Sequence, residues 1–295
     1  MTNILLIPNI NILNANALSS PYTIGFPAMT AWLGATHALE RRLKTAGFDD
    51  LRFKSMAVVC HKIDLQTYKG DGDYVHSIIG TGNPLNKTGQ RSSFIEEARC
   101  HLTVSLVMVY DRLSLGCDDE LTESVDQLLQ ATMKLAGGDV IQSAPSTRVH
   151  VFDDDSRVKF LRRLMPGHCL IERRDLMTKS MEGENDAIDA LLDYLKVTHR
   201  SESDNHKKVA WKSDRKEKGW IVPIATGFQG VTDVGQAEYQ RDPDTPHRFA
   251  ESVVTLGEFV MPYRITDLDH MLWHYHVDLE KNLYLCQQNK FMSEI

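Results

Sequence analysis

Three histidines and three aspartates crowd one short stretch: His270, His274 and His276 in "HMLWHYH", with Asp267, Asp269 and Asp278 beside them. On a helix, His270 and His274 would share a face at i, i+4, a spacing that can hold a metal ion. No carboxylate stands where a hydrolase would need its general base, so imidazoles hydrogen-bonded at a helix end, beside Trp273 and Tyr275, are the weightier reading. The run Asp153, Asp154, Asp155 could ligate a divalent cation, but capping the helix that follows is the commoner use. The chain has no G-x-S-x-G, no Walker A and no H-E-x-x-H, and "GTG" at 80–82 does not continue into a dinucleotide fingerprint. Bond-breaking chemistry therefore has little to stand on.

Anion-binding and amide chemistry have more. Residues 157–174 hold Arg157, Lys159, Arg162, Arg163, Arg173 and Arg174 against Glu172 alone. Lys159, Arg162 and Arg163 fall at i, i+3, i+4 and share a helical face, with Leu161, Leu164 and Met165 on another. Such a face is either plainly solvated or relieved of its self-repulsion by phosphates. A second set, Lys207, Lys208, Lys212, Arg215, Lys216 and Lys218, could tether a nucleic-acid backbone. The uncharged loop "NANALSSPYTIGFP" (14–27) offers Asn14, Asn16, Ser19 and Ser20 as donors and acceptors, with Tyr22 and Phe26 for stacking. Amides read base edges and ribose hydroxyls, and aromatics stack on bases. The same residues could instead pin a turn through Asx and Ser hydrogen bonds. Gly137 and Gly138, just after Lys134, could let a backbone approach a ligand or simply cap a helix.

These groups need elements to position them. Residues 3–13 read as a buried strand. "AMTAWLGATHALERRLKTAG" reads as a helix by the spacing of Met29, Trp32, Leu33, Thr36, Leu39 and Leu43, with cations in its last turn and Gly47 at its end. Residues 51–68 and 100–110 read as strands, and 70–93 as a Gly/Asn-rich excursion or hairpin. A helix is expected over 119–138, and one or two strands over 139–152. The order β-α-β-β-α-β is that of the ferredoxin-like or RRM-like unit, one antiparallel sheet with two helices on one face. Further on, 155–165 and "GENDAIDALLDYLKVT" read as helices, 199–218 as a flexible loop and "GWIVPIATGF" as a strand. "TPHRFAESVVTLGEFV" and "ITDLDHMLWHYHV" read as helices, and "NLYLCQQ" as a last strand. The fold class is thus α+β. Residues 1–152 form the core, with an excursion over about 66–96, and 153–295 form a helical and mixed part that completes it.

Totals set bounds. The chain has 295 residues, 42% hydrophobic, with 33 Lys+Arg against 40 Asp+Glu and a formal net charge of −7. Nucleic acid could be held only through local basic patches. Five cysteines without C-x-x-C spacing point to reduced thiols in a cytoplasm. The opening "MTNILLIPNI" lacks the basic flank of a signal peptide, and no apolar stretch approaches the roughly 20 residues of a membrane helix.

Taken in order, "NANALSSPYTIGFP", "AWLGATHALERRL", "NPLN", "KLAGG", "RRLMPG", "GWIVPIATGF", "TPHRFAESVVTLGEF" and "HMLWHYH" resemble one family: the Cas-five-type, RAMP-superfamily subunit of the type I-F CRISPR surveillance (Csy) complex. The resemblance runs from about residue 4 to about residue 292. It implies a RAMP core of RRM type with a protruding thumb and added C-terminal helices. It implies a subunit without catalytic residues, metal or cofactor that holds the 5′ handle of the crRNA. The partners it implies are the large subunit, in a heterodimer, and the first backbone subunit, with contact to target DNA near the PAM left open. On that reading the loop 14–27, Lys134 and the Gly137–Gly138 turn take sugars and base edges. Arg41, Arg42, Arg91, Arg157, Arg162 and Arg163 take phosphates, and Asn83 and Asn86 on the thumb help kink the RNA. Two alternatives remain. One is an endoribonuclease drafting His37, His61 and Tyr68 as acid–base groups. The other is a protein-only scaffold whose RNA contacts belong to its neighbours.

Overall fold

Ile7 and Ile10 lie three residues apart in a strand, yet both are fully buried on the same side. In plain β-structure they would face opposite ways. Asn9, with φ of 52°, sits at a register shift between them and returns Ile10 to the core side. Asn14, φ 56°, does the same between Ile12 and Ala15. Asparagine tolerates the left-handed region better than other non-glycine residues, which suits it to both bulges.

The structure, a computed structural model, describes residues 2–79, 81–82, 85–91, 94–95, 97–111, 117–141, 146–153, 155–183, 185–203, 209–240 and 242–288. Strand β1 (Thr2–Asn16) leads to helix α1 (Met29–Thr45), β2 (Phe53–Leu65), β3 (Arg99–Tyr110) and α2 (Asp118–Ala131). The short strands β4 (Lys134–Leu135), β5 (Gly138–Ile141) and β6 (Arg148–Phe152) follow, then α3 (Arg157–Arg163) and β7 (His168–Glu172). Beyond them come α4 (Arg174–Met181), α5 (Ala187–Leu195), β8 (Thr198–Ser203), β9 (Val209–Asp214), β10 (Ile221–Gly230), β11 (Ala250–Val260), β12 (Trp273–Asp278) and β13 (Leu283–Gln288). The architecture is mixed α+β with strands predominant.

An eleven-stranded sheet runs β4-β5-β1-β3-β2-β7-β11-β10-β13-β12, with β6 also on β1. Its first four long members, β5-β1-β3-β2, are the fourth, first, third and second strands of the β-α-β-β-α-β order, all antiparallel. The far end turns back: β12 pairs with β2 through Trp273 and Met56, so β2-β7-β11-β10-β13-β12 form a closed ring. Trp273 is fully buried and its indole N–H donates to Leu170 O at 2.9 Å.

Helices α1 and α2 cover one face of the sheet through Trp32, Leu39, Leu43, Leu121, Val125 and Leu129. The opposite, outer face is covered too, but only at one end. There Phe160, Leu161 and Leu164 of α3 and Met271 of a 3-10 turn pack on Ile4, Leu6, Val107 and Val109. A third cluster, Leu176, Met177, Ala190 and Tyr194 with Ile221 and Leu256, holds α4 and α5 against β10 and β11.

Several expected elements differ. Residues 250–260 are a strand, not a helix; Val253, Val254 and Thr255 are β-branched and pair along β10. "ITDLDHMLWHYHV" is a 3-10 turn over Leu268–Met271 followed by β12, so His270 and His274 do not share a helical face. Helix α2 ends at Ala131, and Gly137–Gly138 belong to the tight turn between β4 and β5. Instead of a loop, 199–218 contains the β8–β9 hairpin, Thr198 pairing with Asp214 through Ser203 with Val209. Strand β7 and helix α4 were not anticipated. The C-terminal part adds mostly strands to the one sheet rather than mostly helices. The excursion is represented by two-residue pairings, Thr67–Tyr68 with Ser77–Ile78 and Thr81–Gly82 with Phe94–Ile95.

Candidate nucleic-acid interface

The bulge at Asn14 carries β1 out to Asn16, whose backbone N–H donates to Ala136 O at 2.8 Å. The opening loop and the glycine turn are therefore one locus. Ala136 and Gly137 both have positive φ, 49° and 76°, and Gly138 lies flat against the bulge. A Cβ on Gly138 would fall 2.6 Å from both Ile12 Cγ2 and Leu13 O. Lys134 is exposed beside the turn and paired with Asp139 at 2.6 Å.

Within the loop, much of the hydrogen bonding is spent on the turn itself. Asn16 accepts from Leu18 N–H and donates to Leu18 O, both at 3.1 Å. Ser19 and Ser20 close on Thr23 Oγ1 at 2.8 and 2.7 Å. Ser20 is buried, and Phe26 is a core residue stacked on Trp32 at 5.5 Å, so neither offers a surface to a base. Tyr22 is 78% exposed and keeps that capacity. Asn86 spends its Oδ1 on the N–H groups of Thr88 and Gln90, each at 2.9 Å. Arg91 is exposed, and Asn83 lies outside the described residues.

The arginines divide between two faces. Arg41 is exposed and Arg42 donates to Thr132 Oγ1, both on the helical layer of α1 and α2. Arg157, Arg162 and Arg163 lie on α3, across the sheet. Arg157 is tied to Thr266 O. Lys159, Arg162 and Arg163 are exposed, and among the described residues none has a carboxylate within 4.0 Å. His150, Ser156, Lys159 and Arg163 line a notch of about 150 Å³. Arg163 Nη1 stands 3.2 Å from His150, whose pKa is held below the ordinary imidazole value by burial first and then by Arg163 and Arg148. A larger cleft, about 730 Å³, is rimmed by Asp111, Asp267 and Asp269, and its Lys54 is already paired with Asp111. Carboxylates thus gather at that cleft, and the cations Lys159 and Arg163 at the α3 notch.

The sequence reading missed the open half of the outer sheet face. Cross-strand partners share a face. Asn11 of β1, Thr103 of β3 and Lys62 of β2 are mutually opposite, and His101 is opposite Asp64 on the next rung. Ser105 and His61 form the boundary with the α3-covered end, 2.7 Å apart, with His61 Nδ1 2.5 Å from Pro166 O. The signal was present as Arg99, His101, Thr103 and Ser105, every second residue of β3.

The residues drafted for an enzyme do not meet. The sheet lies between His37 on α1 and His61 on the outer face, and Tyr68 belongs to the excursion, 65% exposed. Four of the five thiols are withdrawn from solvent. Burial pushes the Cys60 thiol up to about 11 and those of Cys100, Cys169 and Cys286 up to about 12. Cys117 alone of the five is partly exposed. A water-soluble disulfide reagent should therefore titrate one thiol per native chain and five after denaturation. Two or more fast thiols in the folded protein would contradict this packing. No helix among the described residues is long and apolar enough to cross a membrane.

Comparison with known proteins adds a relationship to this geometry. A family model described as CRISPR-associated protein (Cas_Csy2) matches residues 5–286. A curated relative from Pseudomonas aeruginosa (strain UCBPP-PA14), CRISPR-associated protein Csy2, is 32% identical over 320 residues. That alignment covers 98% of this chain and 96% of the relative.

Proposed function

The chain belongs to the Csy2 family of CRISPR-associated proteins, and from that premise we propose that it is a non-catalytic subunit of a type I-F surveillance complex that holds the 5′ handle of the crRNA. Its partners in this reading are the large subunit, with which it pairs, and the first backbone subunit. The strand order β5-β1-β3-β2 with α1 and α2 on one face supports an RRM-type RAMP core.

The observation that carries the reading is the α3 cluster. Among the described residues, Lys159, Arg162 and Arg163 keep their charges exposed and without carboxylate partners, on a chain of net charge −7. A phosphate backbone supplies the missing counter-charge and fixes the strand without reading it. Lys134, Asn14, Asn16 and the Gly137 turn then face sugars and bases, with Tyr22 as the stacking ring. Arg41 and Arg42, on the opposite layer, are left for a second stretch of RNA or for a neighbouring subunit.

The test is the double variant Arg162→Ala/Arg163→Ala in handle-RNA binding across a salt series. Affinity should fall at least about tenfold, since charge-assisted hydrogen bonds are lost. The log–log salt slope should shrink by about 1.4, roughly 0.7 for each single-strand phosphate released. An unchanged affinity and slope would give α3 another task. Incubation of the purified chain with repeat RNA should leave that RNA intact; discrete cleavage products would favour the endoribonuclease.

A further inference from the structure

Asn14 apart, the open half of the outer sheet face takes no part in the contacts assigned above, yet several of its side chains are tied to one another. The Thr103 hydroxyl donates to Asn11 Oδ1 at 2.9 Å, which turns the Asn11 amide N–H groups outward. One rung along, His101 Nδ1 accepts from the Asn14 N–H at 3.3 Å, and Gln66 Nε2 donates to Asn14 Oδ1 at 2.7 Å. Lys62 and Asp64 are exposed on the same face, opposite Thr103 and His101. Leu13 and Ile141, 37% and 51% exposed, flank the array with apolar surface.

We infer that this face reads the base edges of a single-stranded nucleic acid through the Asn11–Thr103–Lys62 rung and the His101–Asp64 rung beside it. This rests on the RNA-binding reading and assigns it a second, sequence-selective surface. The array alternates donors (the Asn11 amide, the Lys62 ammonium) with an acceptor (the Asp64 carboxylate). A base edge carries both kinds of group and can match that alternation. A phosphate carries acceptors only and is repelled by Asp64. A protein partner fits poorly, because interface cores are rich in aromatics and poor in charge, and this face is the reverse. A duplex fits poorly as well. Its edges lie in grooves no more than about 12 Å wide, which admit a helix or a two-stranded ribbon but not a broad sheet. Bases splayed from a single strand can turn their edges to it, with Leu13 and Ile141 packing against their planes. Because Asn11, Thr103 and His101 are held by hydrogen bonds before any ligand arrives, little ordering of those groups is required on binding. Asn14 joins this array to the loop and the Gly137 turn, so one strand can run across both.

The experiment uses the full chain in the complex it forms. Two labelled RNAs are compared: one carrying the repeat-derived 5′ handle, and one of equal length and composition with the order scrambled. Thr103→Val keeps the volume and removes the hydroxyl, Asn11→Ala removes the amide, and Thr103→Ser restores the hydroxyl. The double variant Asn11→Ala/Thr103→Val should lose at least about tenfold in its preference for handle over scrambled RNA. Its affinity for the scrambled RNA and its salt slope should stay as in the wild type, and Thr103→Ser should keep the full preference. If the double variant keeps the preference while Arg162→Ala/Arg163→Ala still weakens handle binding, the base-reading face is wrong and the RNA-binding reading stands. If the wild type binds neither RNA, both fall. If the double variant binds RNA normally but fails to assemble, the face belongs to a protein partner and the inference is overturned.

Discussion

Replacing Trp273 with alanine should destabilise the folded chain by about 4 kcal/mol, the largest single loss expected here. The indole is fully buried, so truncation removes its packing and leaves a cavity that surrounding strands can fill only in part. It also orphans Leu170 O, which now accepts the indole N–H at 2.9 Å. Position matters as much as size. Trp273 opposite Met56 is the rung by which β12 returns to β2, so the variant loosens the seam that closes the ring. Trp273→Phe keeps an aromatic ring and loses mainly the hydrogen bond; it should cost about 1–2 kcal/mol. Chemical denaturation read by midpoint at constant slope decides the matter. A loss below about 1 kcal/mol for Trp273→Ala would mean that the seam carries little stability.

Gly138→Ala should come second, at about 3 kcal/mol, and should weaken handle binding with it. The new methyl would meet Leu13 O at 2.6 Å and Ala15 N at 2.8 Å, both backbone atoms of the β1 bulge. No rotamer change relieves such a contact; β1 and β5 must separate. The neighbouring glycine supplies the control. Gly137 has φ of 76°, but a methyl added there would approach nothing nearer than Asn16 Cβ at 4.0 Å. Gly137→Ala therefore carries only the left-handed backbone penalty on stability, about 1 kcal/mol. Equal losses at the two positions would show that close approach of the chains is not what Gly138 provides.

The elements that pack one side against the main core were legible from periodicity. β1, α1, β2 and β3 all place their apolar residues at the spacing their geometry requires. The β8–β9 hairpin was not legible for the converse reason. Nearly all of its residues are exposed, so burial leaves no apolar alternation to read. What alternates is charge: Arg200 opposite Lys212 on one side, Ser201 opposite Trp211 on the other. The stretch 250–260 has apolar residues at spacings that suit either a helix or a strand, and the β-branched run Val253, Val254, Thr255 was the better guide. β7 is five residues long and gains its place only from β2 and β11, far off in sequence. The candidate site was legible in parts. Asn14, Asn16 and Gly137–Gly138 do converge, as their chemistry suggested. Phe26 did not keep its stacking role, because a phenyl ring near a helix start finds Trp32 before it finds solvent. The separation of Arg41 and Arg42 from Arg162 and Arg163 is set by which side of the sheet each helix crosses, and no local pattern encodes that.

The closed ring also bears on how copies of the chain treat one another. A strand whose two flanks are both paired offers no backbone groups to a second molecule. On the other flank of the described sheet, the margin is β4, two residues long with Lys134 on it, and β6, which begins at Arg148. Short, cationic margins are poor templates for adding a foreign strand. Among the described residues, the β4 and β6 margins of the main sheet thus lack the usual starting point for fibrillar self-association, in spite of a strand-rich architecture.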